Sequence, residues 1–158
     1  MPTDPDRPAP ALQAPPAVEA TVVVQAPADE AVEVLSQDAA QQPAPRPYAV
    51  VLFGASGFVG RQAAQYLAQH PDMVGRSWAI AGRNQERLEA VQARCTGQVP
   101  DIVLANAQDT ASLNILAACA DVVMSTAGPF ALLGSGLVAA CVRQRTHYVD
   151  ISGETPWV

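Results

Sequence analysis

The stretch AVVLFGASGFVGRQAAQYL, which runs from Ala49 to Leu67, decides the fold of this chain. It opens with a short apolar run, Ala49–Phe53, and continues through three glycines into a segment, Arg61–Leu67, whose residues favour a helix. A strand, a tight glycine turn and a helix in this order form the pyrophosphate-binding unit of dinucleotide-binding proteins. The stretch therefore predicts that the chain binds a dinucleotide.

Each of the three glycines has its own role in such a unit. Gly54 permits the sharp turn out of the strand, Gly57 lets the backbone approach a phosphate, and Gly60 lets the helix lie close to the strand. The first turn of the helix then offers free N–H groups and a partial positive charge to the anion. The spacing here is G-x-x-G-x-x-G rather than the usual G-x-G-x-x-G, and an ordinary strand-to-helix turn with packing glycines is the alternative.

The composition divides the 158-residue chain near Tyr48. Ten of the fourteen prolines precede Tyr48, all ten glycines follow Phe53, and residues 1–47 contain no aromatic side chain. Such a segment cannot bury enough apolar surface to offset the entropy of ordering. We therefore predict a disordered Pro/Ala-rich tail over 1–47, with Asp29–Leu35 as its one candidate helical turn, and a folded domain over 48–158.

The acidity of the chain belongs to the predicted tail. Residues 1–47 hold seven acids and two arginines, a net charge of −5, whereas the rest of the chain has a net charge of −1. No basic patch favours nucleic-acid binding. The acidic start also lacks the pattern of an organelle transit peptide or a secretory signal, so we expect a cytoplasmic location.

The chain contains no lysine. This removes the Walker A lysine, so Gly54–Gly60 cannot serve as a conventional nucleotide-triphosphatase loop. It also removes Schiff-base chemistry and the Tyr-x-x-x-Lys pair of the short-chain dehydrogenases, because Leu52, His70 and Ser152 stand four positions after the three tyrosines. Two large classes of nucleotide-using enzymes are thereby excluded.

Two further features have structural explanations. Cys95, Cys119 and Cys141 are widely spaced and odd in number, so we predict neither a zinc site nor a disulfide framework and interpret the last two as buried thiols. The uncharged run Val122–Val142 is long enough for a membrane span. Because it contains glycine, proline, serine and threonine, we interpret it as a buried strand, a turn and a buried helix, with no membrane span.

From Tyr48 onward, apolar runs that predict strands alternate with helical patterns. The predicted strands are 49–53, 77–81, 102–105, 122–125 and 147–151, and the predicted helices are 61–67, 85–94, 111–119 and 132–144, with Asp109 as an N-cap. Short loops between them imply right-handed crossovers and helices on both faces of a parallel sheet. We therefore predict a Rossmann-like, doubly wound α/β fold with strand order 3-2-1-4-5 and the cofactor across the carboxyl ends of the strands.

The residues after the second predicted strand discriminate between cofactors. An Asp or Glu there would bind the adenosine ribose of NAD, but this chain has Arg83 followed by Asn84. An arginine suits the 2′-phosphate of NADP through charge-assisted contacts. We therefore predict NADP as the cofactor and NAD as the less favoured one. A surface arginine paired with Glu86 or with solvent is the alternative for Arg83.

Residues at the other strand ends are candidates for the rest of the cofactor. Ser125–Phe130 follows the fourth strand, where the nicotinamide and its ribose would lie, although a packing turn explains these residues equally well. Asn106 follows the third strand and is a candidate for the adenine side. His147, Asp150 and Glu154 are titratable and close to the fifth strand, but we assign none of them a catalytic role.

Four blocks occur in order after Pro47: VLFGASGFVGR, AGRNQERLEAV, STAGPFALLGSGLVAACV and THYVDISGE. Together they resemble the N-terminal domain of the saccharopine dehydrogenase-like oxidoreductases, which include the trans-acting enoyl reductases of lipid synthesis. The resemblance covers Tyr48 to about Pro156 and implies an NADP-linked oxidoreductase. The site residues that it implies are Gly54, Ser56, Gly57, Phe58 and Val59 around the pyrophosphate, Arg83 at the 2′-phosphate, and Thr126, Gly128 and Pro129 near the nicotinamide ribose. Asn106 stands where the family usually has an acidic residue.

Members of that family continue into a second domain that shapes the substrate pocket and often the dimer, so we expect this chain to be truncated before its substrate domain. The leading hypothesis is an oxidoreductase that, when complete, transfers hydride to an unsaturated or imine-type lipid or amino-acid substrate, with a homo-oligomer as a further expectation. The alternatives are a non-catalytic NAD(P)-binding module and an inactive fragment with an uncovered sheet edge. For the 158 residues alone we expect NADPH binding without independent catalysis.

Overall fold

The computed structural model describes residues 45–157 of the chain. Its elements, in chain order, are β1 Tyr48–Phe53, α1 Phe58–Gln69, β2 Trp78–Gly82, α2 Gln85–Gln92, β3 Asp101–Leu104, α3 Thr110–Ala118, β4 Ala120–Ser125, α4 Phe130–Gln144 and β5 His147–Asp150. A short 3-10 helix, Pro71–Met73, lies between α1 and β2 and was not predicted. The predicted tail lies outside the described residues up to position 44, and so does its candidate helical turn at Asp29–Leu35.

The five strands form one parallel sheet in the order β3-β2-β1-β4-β5, as predicted. The chain runs outward from β1 to β3 and then returns to the other side of β1 for β4, so the strand order reverses beside β1. Phe53 at the end of β1 is paired with Ser125 at the end of β4. The prediction of a Rossmann-like fold is confirmed, and the reversal leaves an opening at the carboxyl ends of these two strands.

Side chains that alternate along the strands build an apolar core on each face of the sheet. Val51 and Phe53 of β1 pack with residues of α3 and α4, whereas Leu52 packs with residues of α1 and α2. Leu88 and Val91 of α2 are buried, because residues three positions apart lie on the same face of a helix. Because successive strand residues point to opposite faces, one short strand anchors both helix layers.

Helices α1 and α4 begin earlier than predicted. Helix α1 starts at Phe58 rather than at Arg61, and α4 starts at Phe130 rather than at Leu132. The residue before each helix has an extended backbone and serves as its N-cap, Gly57 for α1 and Pro129 for α4. The chain therefore turns directly from the loop at each strand end into the helix.

The uncharged run Val122–Val142 forms most of β4, a turn and most of α4, as predicted. The interpretation of α4 as a buried helix is correct for one face only, because Leu132 and Val142 have exposed fractions of 80% and 72%. In the part of the chain that the structure describes, no helix is both long and apolar enough to cross a membrane.

The three cysteines are free thiols. Cys141 is buried, as predicted, whereas Cys119 is only partly buried because it follows the last turn of α3 near the surface. Burial raises the pKa of the Cys141 thiol to about 11, and the nearby charge of Arg46 opposes that rise. The Cys141 thiol is therefore protonated at neutral pH and belongs to the apolar core.

Arg46, which lies before the predicted boundary of the domain, is bonded to the folded structure. Its guanidinium donates hydrogen bonds to the carbonyl oxygens of Gln144 at 2.6 Å, Arg145 at 3.1 Å and Ala120, and to Oγ1 of Thr146 at 2.9 Å. The carbonyl groups at the C-terminal end of a helix lack helical partners and carry partial negative charge. The cation of Arg46 therefore stabilises the C-terminal end of α4.

Candidate cofactor-binding site

A cleft of about 350 Å³ opens at the carboxyl ends of the strands, where the strand order reverses. Its walls come from the ends of β1, β2, β3 and β4 and from the loops that follow them. Most of the residues that line it are small, and Arg83 is the single charged one among those that the structure describes. The cleft therefore has room for an extended ligand and a positive charge on one side.

The backbone around the glycine turn leaves no room for side chains. A Cβ atom added at Gly54, where φ is +85°, would lie 2.8 Å from the amide nitrogen of Ala127. A Cβ atom added at Gly60 would lie 2.7 Å from Cα of Ala55, and one at Gly57 would lie 3.2 Å from the carbonyl oxygen of Gly54. Glycine is therefore required for the close approach of the β4 loop to the turn and of α1 to β1.

The N-terminus of α1 borders the cleft without a side-chain cap among the described residues. Its N-cap is Gly57, which lines the cleft, and the first turn contains no acidic residue. The first N–H groups of a helix have no helical partners, and they carry the positive end of the helix dipole. This end of the cleft thus offers backbone donors to an anion such as a pyrophosphate.

The N-terminus of α4 also lies at the carboxyl edge of the sheet, but a carboxylate caps it. Glu154 accepts hydrogen bonds from the backbone amides of Phe130 at 2.8 Å and Ala131 at 2.9 Å. From the sequence, Glu154 is a titratable residue near the fifth strand with no assigned role. No local pattern signals this cap, because 24 positions separate Glu154 from Phe130.

Asp150 holds the segment after β5 against the start of α4. Its carboxylate accepts hydrogen bonds from the Tyr148 hydroxyl at 2.9 Å, the Trp157 indole at 2.8 Å and the Ser152 amide at 3.0 Å. Burial opposes ionisation of Asp150, but these hydrogen bonds outweigh it and hold its pKa below the usual value. Burial, with the hydrogen bond to Asp150 and its charge, raises the pKa of Tyr148 well above its usual value.

None of the three titratable candidates near the fifth strand lines the cleft. His147 is exposed on β5, Asp150 accepts the hydrogen bonds just described, and Glu154 caps α4. Within residues 45–157, the lining of the cleft includes no aspartate, glutamate, histidine, cysteine or tyrosine. The described part of the cleft therefore supplies no side chain suited to proton transfer near neutral pH.

The structure brings most of the predicted cofactor residues together at the cleft. Those that line it are Gly54, Ser56, Gly57, Arg83, Asn106, Thr126 and Gly128. Four others lie beside it without lining it. Phe58 and Val59 form the exposed first turn of α1, Pro129 is the N-cap of α4, and the Asn84 side chain caps α2 by accepting from the Arg87 amide at 2.9 Å. Their contact with a cofactor stays a prediction.

Several residues that line the cleft escaped the sequence analysis. They are Phe53, Gly82, Ala105, Ala107, Gln108 and Leu133. Most of them immediately precede or follow a predicted site residue, and proximity to that residue was the only signal available. Leu133 is different, because it lies in the first turn of α4 and adjoins no predicted site residue.

Two of the predicted residues are held by bonds that fix the walls of the cleft. Thr126 donates to the Phe53 carbonyl oxygen from its amide at 2.9 Å and from Oγ1 at 3.1 Å, which ties the β4 loop to β1. Asn106 Oδ1 accepts from the Gln108 amide at 3.1 Å. Within residues 45–157, Arg83 forms no ion pair with Glu86 or any other carboxylate. The alternative explanation of Arg83 as a partner of Glu86 therefore loses its support.

A family model described as the saccharopine dehydrogenase NADP binding domain matches residues 50–157. The chain belongs to this family. A trans-acting enoyl reductase of Mycobacterium tuberculosis is 41% identical over 114 residues, which make up 71% of this chain and 27% of that protein. A lipid droplet localized protein of Caenorhabditis elegans is 38% identical over 117 residues, 70% of this chain and 28% of that protein. The saccharopine dehydrogenase-type chain thus spans little more than a quarter of the length of these relatives.

Solved structures support the same fold for this saccharopine dehydrogenase-type domain. The apo saccharopine dehydrogenase (L-Glu forming) of Saccharomyces cerevisiae superposes with a TM-score of 0.57 at 24% identity, over 69% of this chain and 22% of that one. A short-chain dehydrogenase/reductase of Veillonella parvula in complex with NADP gives a TM-score of 0.53 at 18% identity, over 65% and 46% of the two chains. The predicted resemblance is confirmed, and with it the assignment of an oxidoreductase-family, NADP-binding domain.

Proposed function

We propose that the chain binds NADPH across the carboxyl ends of its strands and, within a complete protein, orients it for hydride transfer to an unsaturated or imine-type lipid or amino-acid substrate. The observation that carries the proposal is the cleft, with the uncapped end of α1 at one side and Arg83 at the other. The nicotinamide supplies the hydride when it is bound, and the protein supplies binding and orientation. The two curated relatives cited above are consistent with a lipid substrate.

The glycine turn would hold the pyrophosphate. Gly54, Ser56 and Gly57 line the cleft, and the amides of Phe58 and Val59 belong to the free first turn of α1. A Cβ atom at Gly57 would lie 3.2 Å from the Gly54 carbonyl oxygen, so a larger residue there would crowd the turn. This fit needs no side-chain charge, since the donors are backbone N–H groups at a helix N-terminus.

The loops after β2 and β3 would hold the adenosine. Arg83 lines the cleft without a carboxylate partner among the described residues, which leaves its guanidinium to a 2′-phosphate. Asn84 follows Arg83, and its side chain caps α2. This cap would fix the backbone beside Arg83 at the 2′-phosphate. Asn106 lines both the cleft and the smaller hollow that Arg83 also borders, and would contact the adenine.

The loop after β4 would hold the nicotinamide ribose. Thr126 and Gly128 line the cleft, and Pro129 follows as the first residue outside it. The two hydrogen bonds from Thr126 to the Phe53 carbonyl oxygen keep this loop beside the glycine turn. The ribose and the pyrophosphate would therefore be bound by neighbouring, mutually bonded loops.

A second candidate function is NADPH binding without turnover by the domain itself. The observation that favours it is the lack of a proton-transfer side chain among the described residues that line the cleft. The two candidates differ in one measurement. Steady consumption of NADPH by the 158-residue chain with an enoyl or imine substrate would contradict binding without turnover.

The test of the cofactor proposal is the variant Arg83→Gln, titrated with NADPH and with NADH by fluorescence. Loss of the charge-assisted bonds to a 2′-phosphate costs about 1.5–3 kcal/mol, which raises the Kd for NADPH roughly 10- to 100-fold. The Kd for NADH should change little, because NADH lacks that phosphate. Arg76→Gln is the matched control, since Arg76 bonds to the Asp72 carbonyl oxygen and does not line the cleft. Equal losses for both cofactors would remove the role of Arg83, and no binding of either would remove the proposed function.

A further inference from the structure

A second pocket, of about 400 Å³, lies between α1 and α2 beside the cofactor cleft. Three arginines line it, Arg61, Arg87 and Arg94, together with Ser56, Ala90 and Val91. Ser56 is shared with the cofactor cleft, whereas Arg83 lines the cleft and not this pocket. We call it the arginine pocket. It adjoins the cofactor site but is built from different charged residues.

Two helices bring the three guanidinium groups to one place. Arg61 lies at the end of the first turn of α1, where its amide bonds to the Gly57 carbonyl oxygen at 3.0 Å. Arg87 is in the first turn of α2, and Arg94 lies in the turn after its C-cap Ala93, with its amide bonded to the Val91 carbonyl oxygen at 3.0 Å. This turn keeps Arg94 beside the end of α2, so that Arg87 and Arg94 both line the pocket.

No carboxylate from residues 45–157 balances these three charges. None lines the arginine pocket, and none of the three arginines forms an ion pair within that range. On the same helix, the Glu89 carboxylate accepts instead from the Gln85 side chain at 2.8 Å. Cations gathered without a counter-charge repel each other and create a positive potential that attracts anions.

We propose that the arginine pocket binds a phosphate group, as a monoester or a diphosphate, beside the bound dinucleotide. Guanidinium groups match the oxygens of a phosphate in pairs, and the Ser56 hydroxyl adds a neutral donor. Ala90 and Val91 supply the apolar lining, which is too little to hold an acyl chain. The phosphate belongs to a second molecule, because the function proposed above assigns the 2′-phosphate of NADP to Arg83, which does not line this pocket.

The test uses inorganic pyrophosphate as the probe and follows backbone amide shifts of the full chain by nuclear magnetic resonance. We expect saturable shifts at Ala90 and Val91, with the Kd raised about tenfold or more in Arg87→Gln and in Arg94→Gln, as expected for a lost charge-assisted contact. Arg143→Gln is the matched control. It removes the same charge from α4, on the other face of the sheet, where Arg143 bonds to Asn114 Oδ1 at 3.1 Å.

The same titration with saturating NADPH or NADH distinguishes the two sources of phosphate. If a second molecule supplies it, pyrophosphate still shifts Ala90 and Val91 with NADPH bound, and the arginine variants keep the wild-type Kd for NADPH. If NADPH blocks the shifts, NADH does not, and the variants bind NADPH more weakly, then the 2′-phosphate of NADP occupies the pocket. That result would overturn the proposal of a second phosphate-bearing molecule.

Two further results would overturn this proposal: no saturable shift at Ala90 and Val91 in the wild-type chain, or shifts that persist equally in both arginine variants. Shifts confined to Gly54 and Gly57 would assign the pyrophosphate to the glycine turn and count against the pocket. Because the readout needs no cofactor, a chain that binds pyrophosphate here but not NADPH contradicts only the function proposed above.

Discussion

Helices α1 and α4 both begin at the carboxyl edge of the sheet, and their N-termini differ in one respect. At α4, the Glu154 carboxylate accepts hydrogen bonds from two free amides. At α1, Gly57 provides no side chain, and no other described residue caps the helix. A carboxylate occupies the position that a bound anion would take, so α4 is closed to such a ligand and α1 is open. The N-terminus of α1 is therefore the open end, whose amides can receive an anion, and the N-terminus of α4 is the closed end.

The largest expected effect comes from a substitution that disturbs the open end, the uncapped N-terminus of α1. Gly60→Val places a branched side chain where even a Cβ atom would lie 2.7 Å from Cα of Ala55. Helix α1 must then move away from β1, which should lower the free energy of unfolding by about 3 kcal/mol, at the upper end of overpacking costs. NADPH binding should be lost as well. Urea denaturation and fluorescence titration measure the two effects.

The control for this variant is Gly153→Ala, because an added Cβ there has no atom within 4 Å. Its free energy of unfolding should stay within about 0.5 kcal/mol of the wild type, as for ordinary surface changes. If Gly60→Val kept wild-type affinity for NADPH, the close approach of α1 would not be what prepares the open end.

A smaller effect is expected at the closed end. Glu154→Gln keeps the size of the side chain but leaves one acceptor oxygen where two are used, so the free energy of unfolding should fall by about 1–2 kcal/mol. The Kd for NADPH should change less than about twofold, because Glu154 does not line the cleft.

Asp121→Asn is the matched control, since it makes the same change at an exposed position of β4. Thermal denaturation and cofactor titration of both variants compare stability with binding. A large loss of NADPH affinity in Glu154→Gln, without a loss of stability, would show that the closed end takes part in binding after all.

The smallest effect concerns the hydrogen bonds around Asp150, next to the closed end. The pKa of Tyr148 is raised in the folded chain, so its stabilisation is complete below the unfolded value of about 10 and declines at higher pH. The decline is at most about 1.4 kcal/mol per pH unit. Tyr148→Phe should flatten the loss of stability between about pH 10 and 11, whereas Tyr66→Phe, at a residue that is 64% exposed, should not.

For Asp150 the pH dependence of the stabilisation has the opposite sign. Its pKa is lowered in the folded chain, so its stabilisation is complete above the unfolded value of about 3.9 and is lost as the pH falls further. Denaturation midpoints measured in the alkaline range and in the acidic range test the predictions for Tyr148 and Asp150. An unchanged alkaline slope in Tyr148→Phe would mean that another group dominates there.

The sheet and the open end could be predicted because their signals are contiguous in sequence. The apolar run of β1, the three glycines and the following helix specify the turn within one short segment, and alternation of strands and helices specifies the strand order. The position of Arg83 at the cleft could also be predicted, because Arg83 directly follows the end of β2. Local signals therefore specified the strand order and the strand ends, although the first residues of α1 and α4 were predicted too late.

The closed end could not be predicted, because its contacts join residues that lie far apart in sequence. The cap of α4 spans 24 positions, and nothing near Phe130 indicates which carboxylate will reach it. The start of α1 was placed too late for a different reason. Phe58 and Val59 are 75% and 43% exposed, so they break the apolar periodicity from which helices are predicted.

The arginine pocket shows the same division between local and distant information. Arg87 and Arg94 lie close together in sequence, within and just after α2. Their meeting with Arg61 depends on how α1 packs beside α2, which no single segment specifies. Three arginines that look like scattered surface charges along the chain become neighbours only in the folded domain.

Arg46, which precedes the first strand of the sheet, is bonded to the fold through its side chain. One side chain ahead of β1 is bonded to Thr146, 100 positions later, just after the last turn of α4. The residues ahead of β1 are therefore held against the connection between α4 and β5. Cutting the backbone between Arg46 and Tyr48 would leave every described strand and helix whole and still release that contact. The contacts of the fold thus reach beyond its first strand, through the guanidinium group of Arg46.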